Sequence, residues 1–190
     1  MGKGRLEAFT DGVVAIIITI MVLEMKVPHG ADLAALKESL PVFSAYVLSY
    51  VNVGIFWANH HHMLHASTHV DGRVLWANLL LLFWLSLVPF VIRWIDEAGL
   101  VTLPVAAYGV VLLMSAVAYN LLQIAIVARN GRTSALAVAL GSDVKGKLSL
   151  SLYASAIPLA FFEPWISIAL YVLVALIWFV PDQRIEHAVK

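Results

Sequence analysis

Cysteine is absent from the 190 residues, which removes disulfide frameworks, thiolate metal sites and cysteine nucleophiles together. Charge is scarce at 13% of residues, and the signs cancel, twelve Lys and Arg against twelve Asp and Glu. Without a basic excess nothing draws the chain onto nucleic-acid phosphate. A Walker-type glycine-lysine loop, a Gly-x-Ser-x-Gly elbow and a His-Glu-x-x-His helix are all missing. Neither nucleotide-driven pumping nor a recognisable hydrolase has support, so the chain is expected to be no enzyme and to need no cofactor.

Apolar surface, in contrast, is abundant: 62% of residues are hydrophobic and the mean hydropathy is +0.89. Soluble domains are about half apolar and a quarter charged, so the composition indicates an all-α integral membrane protein with the lipid bilayer as its partner. At about 20 residues per spanning helix, the chain has room for six spans and short loops, but not for an added soluble catalytic domain.

A single six-span membrane domain over residues 1–190 is therefore expected. The first span runs from Arg5 to Glu24; Glu7 and Asp11 interrupt what would be the basic region of a cleaved signal peptide. Pro28, His29 and Gly30 end it. The second helix begins after Asp32, spans residues 40–58 and continues as a polar helical extension to His69. Spans at 74–92, 100–127, 148–162 and 165–180 follow, with Trp76, Trp94 and Tyr108 near span ends as at membrane interfaces. Pro181 and Asp182 terminate the last.

Six spans put both termini on one side. Lys3, Arg5, Arg73, Arg129, Arg132, Lys145, Lys147, Arg184 and Lys190 fall on that side, and Lys26, Lys37 and Arg93 on the other. The positive-inside rule then makes both termini cytoplasmic. No repeat is visible within the chain, so a pore on a symmetry axis requires oligomerisation.

The first span carries the sharpest pattern. At 100° per residue, Phe9, Gly12, Ile16, Thr19, Ile20 and Leu23 share one arc of roughly 100°, and Asp11 falls on the opposite side. An intramembrane carboxylate is costly enough to imply a function or a specific partner. Asp11 is expected to be buried, with Trp57, His60 and Asn78 as three donors at its level. The apolar arc is a candidate pore wall. The alternative is that Ile16, Ile20 and Leu23 merely pack and that Thr19 bonds back to the carbonyl of Ala15.

His61, His65 and His69 recur at i, i+4 and i+8 on the second helix, a spacing that neutral imidazoles use for zinc. They lack a fourth ligand in sequence and sit at the wetter end of the helix. A solvated face is the better reading, and no metal is expected.

Arg5, Phe9-Thr10-Asp11, Ala15, Ile16 and Thr19, together with Trp57, His60, Asn78 and Pro89, closely resemble the signature of the lysosomal and bacterial potassium-channel family called transmembrane protein 175. The family's usual Phe-Ser-Asp is Phe-Thr-Asp here, which keeps the hydroxyl and adds a methyl. The resemblance implies a homotetramer in a prokaryotic plasma membrane, with four first helices lining a central potassium pore. It places constrictions at Ile16, Ile20 and Leu23 and a selectivity-related threonine at Thr19. Arg5, Phe9, Thr10, Asp11, Trp57, His60 and Asn78 would then position that helix.

This chain lacks the Thr-Val-Gly-Tyr-Gly filter of ordinary potassium channels, so moderate selectivity through a hydrophobic constriction is expected. Arg5 falls near the pore side, where it must either fold back toward Glu7 or Asp11 or leave the arc by a deviation of the helix. The alternative function is a proton-coupled secondary transporter using Asp11 and His60.

Overall fold

The computed structural model describes residues 2–131, 134, 137, 138, 141 and 143–179. Arg132, Arg184, Lys190 and the expected stop at Val180 to Asp182 lie outside the described residues.

Among the described residues the secondary structure is entirely helical: α1 Lys3–Leu23, α2 Leu33–His65, α3 Gly72–Ser86, α4 Val88–Ala98, α5 Thr102–Asn130, α6 Val144–Leu159 and α7 Pro164–Phe179. Side-chain caps mark several starts: Asp32 accepts from the Ala35 amide, and Asp71 from those of Arg73 and Val74. These bonds satisfy amides that have no partner within the helix.

α1, α2, the continuous run Gly72–Ala98 and α5 are each long and apolar enough to cross a membrane. α6 and α7 have 16 residues each, about 24 Å at 1.5 Å per residue.

Two expectations change. The third span does not run straight from 74 to 92 but reaches Ala98 with a break at Leu87. Pro89 has no amide to give the carbonyl four residues back, so the ladder is interrupted there. The second helix stops at His65 rather than His69. The Asn130 side-chain oxygen accepts from the amides of Thr68 and His69, both at 3.0 Å, and this draws the chain off the helical path.

α5 is the central post, packed by α3, α4, α6 and α7. Its Gly109 is required by close approach, since a β-carbon there would run into the Tyr171 ring and hydroxyl. That approach lets Tyr171 donate to the Val105 carbonyl at 3.1 Å. Nearby, Ser49 and Tyr108 share a hydrogen bond of 2.9 Å, and Tyr153 donates to Asn52 at 3.3 Å.

The polar ends gather as the span count requires. Lys3 donates to the His65 carbonyl, Thr68 meets Asn130, and Arg129 lies 3.9 Å from Asp71. The start of α1, the end of α2, the start of α3 and the end of α5 therefore share one end of the bundle.

Candidate functional site

α1 has two dissimilar faces. Leu6, Thr10, Val14, Ile17 and Met21 are buried against α2, α3 and α4. Phe9, Ile16, Ile20 and Leu23 are 48%, 57%, 39% and 80% exposed, and Gly12 and Thr19 are exposed with them. The arc read from the sequence is thus the face of α1 that its own protomer leaves bare.

The other face is held by side-chain hydrogen bonds. Asn78 on α3 donates from Nδ2 to Thr10 Oγ1 at 2.9 Å, and its Oδ1 accepts from His60 Nε2 at 2.7 Å. All three side chains are buried. One position further along α1, Trp57 Nε1 donates to Asp11 Oδ1 at 2.8 Å.

This arrangement corrects the expectation of a buried Asp11 with three donors. Thr10 is the fully buried member of the pair, and Asp11 is half-buried. Asn78 already uses both ends of its amide between His60 and Thr10, so Trp57 is left to serve the carboxylate. The added methyl of Thr10 is accommodated, and its hydroxyl keeps a bonding role.

No hydrogen bond joins Asp11 to His60 among the described residues, so the two groups named for proton coupling belong to separate contacts. Arg5 is exposed, and its side chain makes no hydrogen bond or ion pair among the described residues; Glu7 instead pairs with His61 Nδ1 at 3.0 Å. Of the two alternatives for Arg5, folding back toward Glu7 or Asp11 is not what the structure shows, since neither carboxylate receives it.

Thr19 Oγ1 lies 3.1 Å from the Ala15 carbonyl and 2.9 Å from that of Ile16. Its proton goes back to the helix, as the packing alternative held. Only its oxygen lone pairs remain to turn outward.

The histidine series is broken by the end of α2. His61 and His65 stack, with ring centroids 6.0 Å apart, while His69 lies in the following turn against Thr68 Oγ1. Among the described residues no group of three or more His, Cys, Asp or Glu is arranged to hold a metal ion.

Sequence reasoning missed two ties. One is the Glu7–His61 pair. The other is at the far end of α1, where Arg93 contacts Glu24 at 2.9 Å and Glu97 at 3.2 Å. The i, i+4 spacing of Arg93 and Glu97 was a readable signal; the partnership with Glu24 was not.

Residues 5–89, which contain every one of these α1–α2–α3 contacts, match the family described as Endosomal/lysosomal potassium channel TMEM175. A protein named potassium channel from Chryseobacterium sp. (strain P1-3) is 52% identical over 190 residues, covering 100% of this chain and 99% of the relative. The chain belongs to the TMEM175 family.

A potassium channel of Streptomyces collinus is 35% identical over 128 residues, 63% of this chain and 62% of that one. Among solved structures, a crystal structure titled as a lysosomal potassium-selective channel TMEM175 homolog from Chamaesiphon minutus superposes with a TM-score of 0.81 at 26% identity. It covers 95% of this chain and 97% of its own. The family is one of ion channels and not of enzymes, and the chain is a multi-pass membrane protein.

Proposed function

We propose that this chain forms a homotetrameric, potassium-permeable channel in a prokaryotic plasma membrane, with four copies of α1 around a central pore. Residues 1–190 act as one six-span domain with both termini in the cytoplasm. The observation that carries this reading is the bare face of α1. In a helix whose other face is hydrogen-bonded to two neighbours and whose ends are tied by the Glu7–His61 and Glu24–Arg93 contacts, Phe9, Ile16, Ile20 and Leu23 remain largely exposed. Four such faces turned to a common axis give stacked apolar rings.

Rings of Ile16, Ile20 and Leu23 constrict by dewetting. They make an ion lose water to pass, which favours potassium over sodium because potassium dehydrates more cheaply. Thr19 contributes oxygen lone pairs between the rings and nothing stronger, since its proton is committed to the helix. Selectivity is accordingly moderate. The potassium-channel names of the Chryseobacterium and Streptomyces relatives support the same ion.

Purified protein in liposomes tests the reading through bi-ionic reversal potentials. Passive currents that reverse near the potassium potential are expected. Slow, saturable counterflow would mark a secondary transporter and overturn the proposal, as would the absence of any flux.

A further inference from the structure

α1 and α4 finish at the same end of the bundle, and each finishes on acid. Glu24 caps α1 directly after Leu23, and Asp96 and Glu97 lie in the last turn of α4, while neither helix has a base in its last turn. A helix C-terminus already carries about half an elementary negative charge, so a carboxylate there opposes the helix and a Lys or Arg would support it. Helix stability therefore gives no reason for this arrangement.

One base lies between the acids. Arg93 on α4 contacts Glu24 at 2.9 Å and Glu97 at 3.2 Å, so one guanidinium serves two carboxylates and the trio keeps a net charge of −1. The whole end repeats the imbalance, with Lys26, Lys37 and Arg93 against Glu24, Asp32, Glu38, Asp96, Glu97 and Glu163. Glu24 and Arg93 line the same groove as Ile16 and Ile20 of the bare arc, with Pro89 and Phe90 on its α4 wall. The charges thus sit beside the last turns of the face read above as the pore wall.

We propose that the Glu24–Arg93–Glu97 trio sets the potassium concentration at this mouth of the pore. Four copies of Glu24 beyond the Leu23 ring, reinforced by four helix C-termini, draw cations toward the constriction. Arg93 holds that attraction down by neutralising one carboxylate of the two. Both effects rest on the tetrameric pore proposed above, and they have opposite signs.

Single-channel potassium conductance of Glu24→Gln and Arg93→Gln in neutral phosphatidylcholine bilayers tests the assignment. At about 0.01 M KCl, where charges act over roughly 30 Å, Glu24→Gln should lower the conductance and Arg93→Gln should raise it, each by about twofold to threefold. At about 1 M KCl, where the range shrinks to roughly 3 Å, both should match wild type. Either substitution breaks the same 2.9 Å contact, so a trio that only ties α1 to α4 would move both variants in one direction and at both salt concentrations.

Glu97→Gln leaves the Glu24–Arg93 contact in place and should also lower the low-salt conductance, which keeps the test open if a variant without that contact does not assemble. Changes of one sign in Glu24→Gln and Arg93→Gln, changes that persist at high salt, or unchanged conductance in all three variants would each overturn the proposal. A wild type that carries no potassium current would instead overturn the channel reading on which it rests.

Discussion

The two faces of α1 are made of similar residues and are used in opposite ways. Ile17 and Ile16 are neighbours in sequence, yet the first is 3% exposed and the second 57%. What separates them is their surroundings. One face meets α2, α3 and α4, whose Trp57, His60 and Asn78 hold the helix at fixed rotation, and the other is left largely exposed by its protomer. A bare apolar face is an oligomer interface or a lumen, and its fixed rotation decides which side chains reach the axis. The bonded face should therefore govern assembly and the bare face permeation.

The strongest way to break that division is Asn78→Leu. It strands the His60 imidazole and the Thr10 hydroxyl, both buried, at about 1–3 kcal/mol for each unsatisfied group. Loss of folded tetramer by size-exclusion chromatography and a large drop in thermal midpoint are expected. A normal tetramer with altered ion preference would assign the face wrongly.

Asp11→Ala acts in the same direction with less force. It deletes the acceptor of a Trp57 bond in which both partners are partly exposed, so about 1 kcal/mol is expected. Thermal unfolding should report it, with reversal potentials unchanged.

On the bare face the expected readouts exchange. Ile16→Ala shortens a side chain that is 57% exposed in its protomer, and so should leave the midpoint within about 0.5 kcal/mol of wild type. Conductance should rise and potassium preference fall, because a wider constriction demands less dehydration. Unchanged single-channel currents would mean that the narrow point lies elsewhere.

Thr19→Val is the smallest expected effect. The substitution keeps the branched shape and deletes an oxygen whose proton already serves the helix. The potassium-to-sodium permeability ratio should fall by less than about threefold, roughly 0.65 kcal/mol.

These contrasts also explain what could be read in advance. The all-helical architecture followed from composition, and the bare arc followed from 3.6-residue periodicity, because both depend on local spacing. The Phe9-Thr10-Asp11 motif pointed to the bonded face as a unit. It did not reveal which of Thr10 and Asp11 would be buried, because one residue is a 100° rotation and only the position of α3 settles it.

The end of α2 was misplaced because the signal that stops it, Asn130, lies 61 residues beyond His69. The rear of the protomer was still less legible. Tyr108, Tyr153 and Tyr171 are scattered through apolar spans, and their meeting depends on tertiary packing that no local pattern records.

Cysteine accessibility tests the central claim, that the bare face of α1 lines the pore, most directly, because the native chain has no cysteine and a single introduced thiol is unique. Leu23→Cys is placed at the most exposed position of the arc, and Val101→Cys at an exposed position preceding α5 serves as the off-axis comparison. A cationic methanethiosulfonate reagent should abolish potassium current through Leu23→Cys and leave the current through Val101→Cys intact, with both thiols shown by mass to be modified. A fully modified Leu23→Cys that still conducts at the wild-type level would contradict the account.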